Sequence, residues 1–305
     1  MTSTPRRSAS AFQSSFKSKA RTLSTRTGRP SDQIQREIYL FRFLARVFVD
    51  PDSPWVLKGG GGLLVRITDG ARHSRDADLM RTDVTAEEAI IELQALLDRP
   101  TDLDPLSFQV KRSKSNPGGP DAAQLTADVY YGATLLYTFP IDLSIRTTLA
   151  AATDQVVPVS MIDIDGFAEL PPFTVMSLAD QIGDKVAAMY QLYGARNNTP
   201  STRYHDLVDL HLIIARFPID AASTAAALQL QQHRRPNLTL PAAVRSPGPQ
   251  WTAGYPKEAR AAKLAARLHT LDEAFAVLAE FLDPLLDGTR TSGIWEPLRQ
   301  SWSDL

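Results

Sequence analysis

Residues 55–80 read WVLKGGGGLLVRITDGARHSRDADLM, and three features within that stretch decide the fold. Trp55-Val56-Leu57 is a short apolar run that predicts a buried strand entering Lys58-Gly59-Gly60-Gly61-Gly62, with a helical turn over Leu63 to Ile67 after the glycines. From Arg75 to Met80 the chain alternates Asp76, Ala77, Asp78, Leu79, so a strand here shows two carboxylates on one face and apolar groups on the other.

The surroundings extend this into an α/β unit. Ile34, Ile38, Phe41, Leu44 and Phe48 recur at spacings of three and four, which predicts an amphipathic helix over Asp32 to Phe48. Thr85 with Glu88 forms a capping box ahead of a helix through Leu97. Strands are predicted at about 106–112 and 125–145, separated by the turn-rich Ser115-Asn116-Pro117-Gly118-Gly119-Pro120. From Ser177 the periodicity is helical, over about 177–192, 203–215, 220–232 and 255–285. The Pro-rich stretch 235–256 is expected to break the helices and wrap over the surface. The expected organisation is a basic segment at 1–30, an α/β lobe with a mixed sheet at 31–172, and a mainly helical lobe at 173–305.

Composition narrows the chemistry. The chain has 305 residues and no cysteine, which excludes disulfides, a thiolate nucleophile and every cysteine-containing zinc site. The five histidines form no H-x-x-x-H pair, so a metal would have to be a hard cation on oxygen ligands. No apolar run approaches the ~18 residues of a membrane span, and no secretory apolar stretch opens the chain, so a cytoplasmic protein without a membrane partner is expected. The near-neutral total hides an asymmetry. Residues 1–31 carry Arg6, Arg7, Lys17, Lys19, Arg21, Arg26 and Arg29 with no acid, while the remaining 26 bases and 34 acids leave a body of −8. A basic end on an acidic body fits a polyanion such as RNA, a solvated frayed terminus, or a transit peptide.

The third acid of interest is Asp142, in Phe139-Pro140-Ile141-Asp142-Leu143-Ser144-Ile145, where it projects opposite the face of Ile141, Leu143 and Ile145. If this strand pairs beside that of Asp76 and Asp78, three carboxylates meet on one sheet surface. Such a cluster repels itself unless a divalent cation neutralises it, and Mg²⁺ suits a few protein oxygens plus substrate phosphates. The upstream glycines let backbone N–H groups approach a triphosphate. The spacing therefore points to metal-dependent phosphoryl or nucleotidyl transfer, against the plain reading of solvated surface acids.

Two charges interrupt apolar faces further on. Lys185 falls in the middle of the stripe Leu178, Ile182, Val186, Met189, Leu192, and Asp206 inside that of Leu207, Leu210, Ile213, Ile214, with Arg203 nearby and Asp209 at the stripe's edge. This predicts either a buried Lys185–Asp206 pair or a polar wall.

Taken in order, Leu57-Lys58-Gly59-Gly60-Gly61-Gly62-Leu63, Ser74-Arg75-Asp76-Ala77-Asp78-Leu79, Asp184-Lys185-Val186-Ala187-Ala188-Met189 and Arg203-Tyr204-His205-Asp206-Leu207-Val208-Asp209-Leu210 resemble the AbiEii/AbiGii toxin family, with its mycobacterial MenT-type members nearest. The resemblance implies a nucleotidyltransferase-like fold and a toxin that uses Mg²⁺ or Mn²⁺ and an NTP to modify RNA at the tRNA 3′ acceptor end, so that aminoacylation and translation stop. It also implies a separately encoded antitoxin. Asp76, Asp78, Lys185 and Asp206 would be catalytic. Asp76, Asp78 and Asp142 would hold metal, and Lys58, Gly60, Gly61, Ser74, Lys185 and Arg203 the nucleotide. Lys17, Lys19, Arg21, Arg72 and Arg75 are the candidate RNA contacts. Where relatives carry a hydroxyl after the first glycines, this chain has Gly60-Gly61-Gly62. That departure keeps two rivals in view: transfer to a small molecule or protein, and a non-catalytic nucleic-acid-binding protein on the same fold.

Overall fold

The computed structural model describes residues 8–67, 76–113, 121–146, 148–160, 162–194, 196–235 and 237–304. Arg72, Ser74 and Arg75, candidates from the sequence, lie outside them. The described residues fall into two compact units, the first drawn from 8–67, 76–146 and 154–175, the second from 148–153 and 176–304.

The first unit opens with helix α1 (Ala9–Thr27), then α2 (Ser31–Val47), strand β1 (Trp55–Leu57), α3 (Gly59–Arg66), β2 (Ala77–Arg81) and α4 (Ala86–Leu97). Strands β3 (Leu106–Arg112), β4 (Ala122–Tyr131), β5 (Thr134–Ile145), β6 (Asp154–Val156) and β7 (Phe173–Val175) follow. Together they form one seven-stranded sheet in the order β3-β4-β5-β2-β1-β7-β6. It is mixed, because β2 runs parallel to β5 and β1 parallel to β7 while the other pairs are antiparallel. The α/β expectation with a mixed sheet holds.

Helix α2 packs on this sheet through rings: Phe43 meets Phe108 of β3 and Phe139 of β5 edge-on, and Phe48 meets Phe173 of β7. The sequence suggests one apolar stripe, yet every residue from Glu37 to Val47 is buried. The polar members of that run are held individually. Arg46 donates to Asp104 Oδ1 at 2.7 Å, Arg42 to the carbonyl of Ala168 at 2.6 Å, and Glu37 pairs with Arg29. Burial pushes the Glu37 carboxyl up against the opposing pull of Arg29. The capping box is present, with Thr85 N–H donating to Glu88 Oε2 at 2.8 Å and Glu88 N–H to Thr85 Oγ1 at 3.2 Å. Trp55 and Arg81 both reach Glu92 on α4, which ties α4 to the β1–β2 pair.

The second unit contains α5 (Leu178–Tyr190), α6 (Tyr204–Ile214), β8 (Ile219–Asp220), α7 (Ala221–Arg234), α8 (Trp251–Ala261), a short 3-10 turn at Ala266–His269, α9 (Leu271–Leu286), β9 (Ile294–Glu296) and β10 (Ser301–Ser303). Gly183 of α5 lies so close to Ala227 of α7 that a Cβ would sit 3.1 Å from its backbone, so glycine sets that helix crossing. Two expectations need correction. The periodicity over 255–285 is two helices broken by the turn, and the Pro-rich stretch does not simply skirt the surface, because Trp251 and Tyr255 are fully buried. The Trp251 indole satisfies its N–H on the carbonyl of Ser201 at 2.7 Å, which lets a large ring enter the core. No described helix is long and apolar enough to cross a membrane.

Candidate metal and nucleotide site

The parallel pairing of β2 with β5 sets the site. Its register places Ala77 beside Ile141, Asp78 beside Asp142 and Leu79 beside Leu143. Because side chains alternate along a strand, apolar Ala77, Leu79, Ile141 and Leu143 turn to the buried face, and Asp78 and Asp142 to the other. Asp76 stands one residue before β2. One carboxylate oxygen from each of Asp76, Asp78 and Asp142 lies within 4.8 Å of the other two, and all three residues are half-buried. Among the described residues this is the group of acids placed to hold a metal ion.

The glycine run belongs to the helix that the sequence pattern places only after it. Helix α3 begins at Gly59, so the glycines are its first turn, ahead of the predicted helical turn at Leu63. Lys58 N–H donates to the Asp78 carbonyl at 2.9 Å, and Gly60 N–H donates to Asp78 Oδ2 at 3.3 Å. The N-cap Lys58 offers no side-chain cap, so a carboxylate from the neighbouring strand supplies an acceptor for an amide that a helix start leaves unpaired. Gly59 adopts φ +59°, and a Cβ on it would overlap the Asp78 carboxylate. Only glycine lets helix and acid approach this closely. Lys58 Nζ stands 3.9 Å from Asp78 Oδ1 and offsets part of the cluster's negative charge. Gly60 and Gly61 are buried in this first turn, and the Gly60 amide, expected to face a triphosphate, faces Asp78.

Three oxygen-donor carboxylates converging at half-buried positions fit a hard divalent cation. Mutual repulsion at this spacing disfavours the arrangement without a positive partner.

In the second unit, Lys185 and Asp206 are both buried, as are Asp209 and its neighbours on α6. Lys185 Nζ lies 2.6 Å from Asp209 Oδ2 and 3.4 Å from Asp206 Oδ1. Arg203 Nε donates to Asp206 Oδ2 at 2.6 Å, and His205 Nε2 stands 3.7 Å from Asp206 Oδ1. The expected Lys185–Asp206 pair is therefore part of a larger set in which two cations meet two carboxylates. Asp209, read only as an edge residue, is the tighter partner of Lys185. The edge of a helical stripe is where a single sequence cannot separate an exposed acid from a buried one.

Of the candidate RNA contacts, Lys17 and Arg21 are exposed on α1, and Lys19 is half-buried with its ammonium 2.7 Å from the carbonyl of Asp163.

Comparison with known proteins gives this geometry a family context. A profile described as nucleotidyl transferase AbiEii toxin, type IV toxin–antitoxin system, matches residues 42–277. In three dimensions the chain is similar to MenT4, a nucleotidyltransferase toxin from Mycobacterium tuberculosis H37Rv, with a TM-score of 0.53 and 18% identity over 85% of this chain and 98% of that one. At that identity the likeness bears on fold alone. No curated protein matches the chain in sequence.

Proposed function

The chain belongs to the AbiEii nucleotidyl transferase toxin family, and from that premise we propose that it transfers nucleotidyl groups from an NTP to RNA, with the 3′ acceptor end of tRNA as the acceptor. The observation that carries this reading is the β2–β5 register, which brings Asp76, Asp78 and Asp142 within 4.8 Å of one another.

The three carboxylates would hold Mg²⁺ or Mn²⁺, which when bound supplies Lewis-acid stabilisation of charge on the phosphoryl and pyrophosphate oxygens. The chain's own part is positioning. Gly60 N–H and the Lys58 ammonium fix the rotation of the Asp78 carboxylate, and strand pairing fixes Asp142 beside it. In the transfer, the RNA hydroxyl oxygen forms a bond to the α-phosphorus as the bond to the bridging oxygen of pyrophosphate breaks, and the hydroxyl proton leaves to solvent. Preorganised charge of this kind costs no rearrangement as the transition state forms. For Lys185, Arg203 and Asp206 the proposal rests on the motif resemblance: an ammonium and a guanidinium suit phosphate oxygens, and Asp206 contacts both cations. Lys58, Gly60, Gly61 and Ser74 stay in the proposal as nucleotide-side residues on the same ground.

A nucleotide added to the tRNA 3′ end blocks aminoacylation, which explains toxicity and calls for a separately encoded antitoxin. NTP and tRNA meet in the cytoplasm, the setting this reading requires.

The test incubates purified protein with each α-labelled NTP, Mg²⁺ and total tRNA. Label should enter tRNA and be absent with Asp76→Ala. Label entering only protein or a small solute, or no label while a control transferase is active, overturns the RNA reading.

A further inference from the structure

We propose that the exposed side of α1 is a nucleic-acid backbone rail, with Lys17 and Arg21 on one flank and Arg26 on the other holding RNA phosphates; the identity of the polyanion as RNA rests on the function proposed for the acidic site. The roll of the helix is fixed from beneath. Phe12, Phe16, Ala20 and Leu23 are buried, Phe12 stacks on Tyr131 at 4.5 Å, and Phe16 packs on Tyr39 at 4.9 Å. What remains outward is Ser10, Ala11, Ser14, Lys17, Ser18, Arg21, Thr22, Thr25, Arg26 and Thr27, all exposed. Apart from Ala11, every one of these side chains carries a cation or a hydroxyl.

This face is not what helix stability alone would select. Ser and Thr are weaker helix formers than the Ala, Glu, Gln and Lys that exposed positions usually carry. Like charges one turn apart, such as Lys17 and Arg21, repel. No acid stands in the first turn, where the helix dipole favours one, and none occurs anywhere in residues 1–31. The cations instead suit nucleic-acid phosphates, which release counterions on binding, while the Thr22 and Thr25 hydroxyls donate back to the Ser18 and Arg21 carbonyls.

The other partners fit less well. An anionic membrane surface engages amphipathic helices through their apolar side, and here that side is buried against the chain's own rings. A protein interface draws its affinity from exposed aromatic or aliphatic anchors, and the outward residues of α1 include none. Lys19 is distinct from its neighbours. Its ammonium donates to the Asp163 carbonyl at 2.7 Å and stands 3.8 Å from Asp165 Oδ1, so it anchors the helix to the chain. Arg26, one of the bases of the N-terminal segment, is exposed and joins the rail.

The experiment measures tRNA binding to the full chain by fluorescence anisotropy across a KCl series. Lys17→Gln/Arg21→Gln/Arg26→Gln should weaken binding at least about tenfold at low salt. It should also flatten the log K against log [salt] slope by roughly two to three, about 0.9 for each phosphate no longer neutralised. Because all three side chains are exposed, circular dichroism and Tm should stay at wild-type values. Lys19→Gln should flatten the slope by less than one. An unchanged slope in the triple variant overturns the proposal. So does a triple variant that loses binding to phosphatidylserine vesicles while keeping wild-type affinity for tRNA. Asp76→Asn in the same assays separates this inference from the enzymatic one. Rail-dependent tRNA binding by a wild-type chain that labels no RNA sinks only the transferase reading. RNA labelling with rail-independent binding sinks only the rail.

Discussion

Asp78 of β2 and Asp142 of β5 are direct register partners on parallel strands, with Asp76 completing a set of carboxylates within 4.8 Å. Like charges placed opposite each other on neighbouring strands weaken a sheet. The pair, with Asp78 held by the amide of Gly60 and its oxygen 3.9 Å from the Lys58 ammonium, fits the proposed cation site.

Gly59→Ala tests how closely helix α3 must approach Asp78. The new Cβ meets that carboxylate, and φ +59° adds the left-handed penalty of about 1–2 kcal/mol, so both stability and transfer activity should fall. Gly28→Ala is the control. Gly28 has a similar φ of +69° with open space around it, so it should lose only that backbone penalty of about 1–2 kcal/mol, with unchanged NTP turnover. Urea unfolding and the tRNA-labelling assay distinguish the two. Equal activity in both variants contradicts the account of the glycine run.

Lys185→Met tests the buried charge set of the second unit. With the ammonium gone, Asp206 and Asp209 keep buried negative charge, and the expected loss is about 3–5 kcal/mol of unfolding free energy. Adding Asp209→Leu removes one stranded acid and should restore part of that loss. A double variant less stable than the single one would show that Lys185–Asp209 is not the coupled pair.

His211 gives the fold an acid-sensitive point. Burial lowers its folded-state pKa from 6.5 to about 4, against the opposing effect of a backbone hydrogen bond at Ala274. Between those values the unfolded chain holds a proton that the folded chain refuses. This contribution to stability is complete above about pH 6.5 and is lost as pH falls towards 4, with a slope of at most about 1.4 kcal/mol per pH unit. His211→Gln should be flatter than wild type over that window when Tm is followed against pH. An identical pH profile would contradict the assignment.

The acids are legible in the sequence because strand alternation alone separates Asp78 and Asp142 from Leu79 and Leu143. Their meeting depends on strand pairing, which no local pattern fixes, and the register supplies it. Helix α1 is less legible. Phe12, Phe16, Ala20 and Leu23 do repeat at helical spacing, but the surrounding serines, threonines and arginines read as a solvated tail, and the rings that bury the stripe, Tyr39 and Tyr131, are remote in sequence. The closing strands β9 and β10 escape sequence reading for the same reason. Trp295 and Trp302 sit in segments of three residues, too short for a period, and their strand character comes from packing on Phe281. Local pattern carries the site's chemistry here, and tertiary contact carries the elements that surround it.

The central claim is that Asp76, Asp78 and Asp142 together hold a divalent cation. The direct measurement is a Mn²⁺ titration followed by electron paramagnetic resonance, with a non-hydrolysable NTP present, on the wild-type chain and on Asp142→Asn. Asp142→Asn is preferred to a change at Asp78, whose carboxylate also accepts from the start of α3. The account predicts saturable Mn²⁺ binding in the wild type and at least about tenfold weaker binding in Asp142→Asn at unchanged Tm. Mn²⁺ affinity that is the same in both proteins would contradict it.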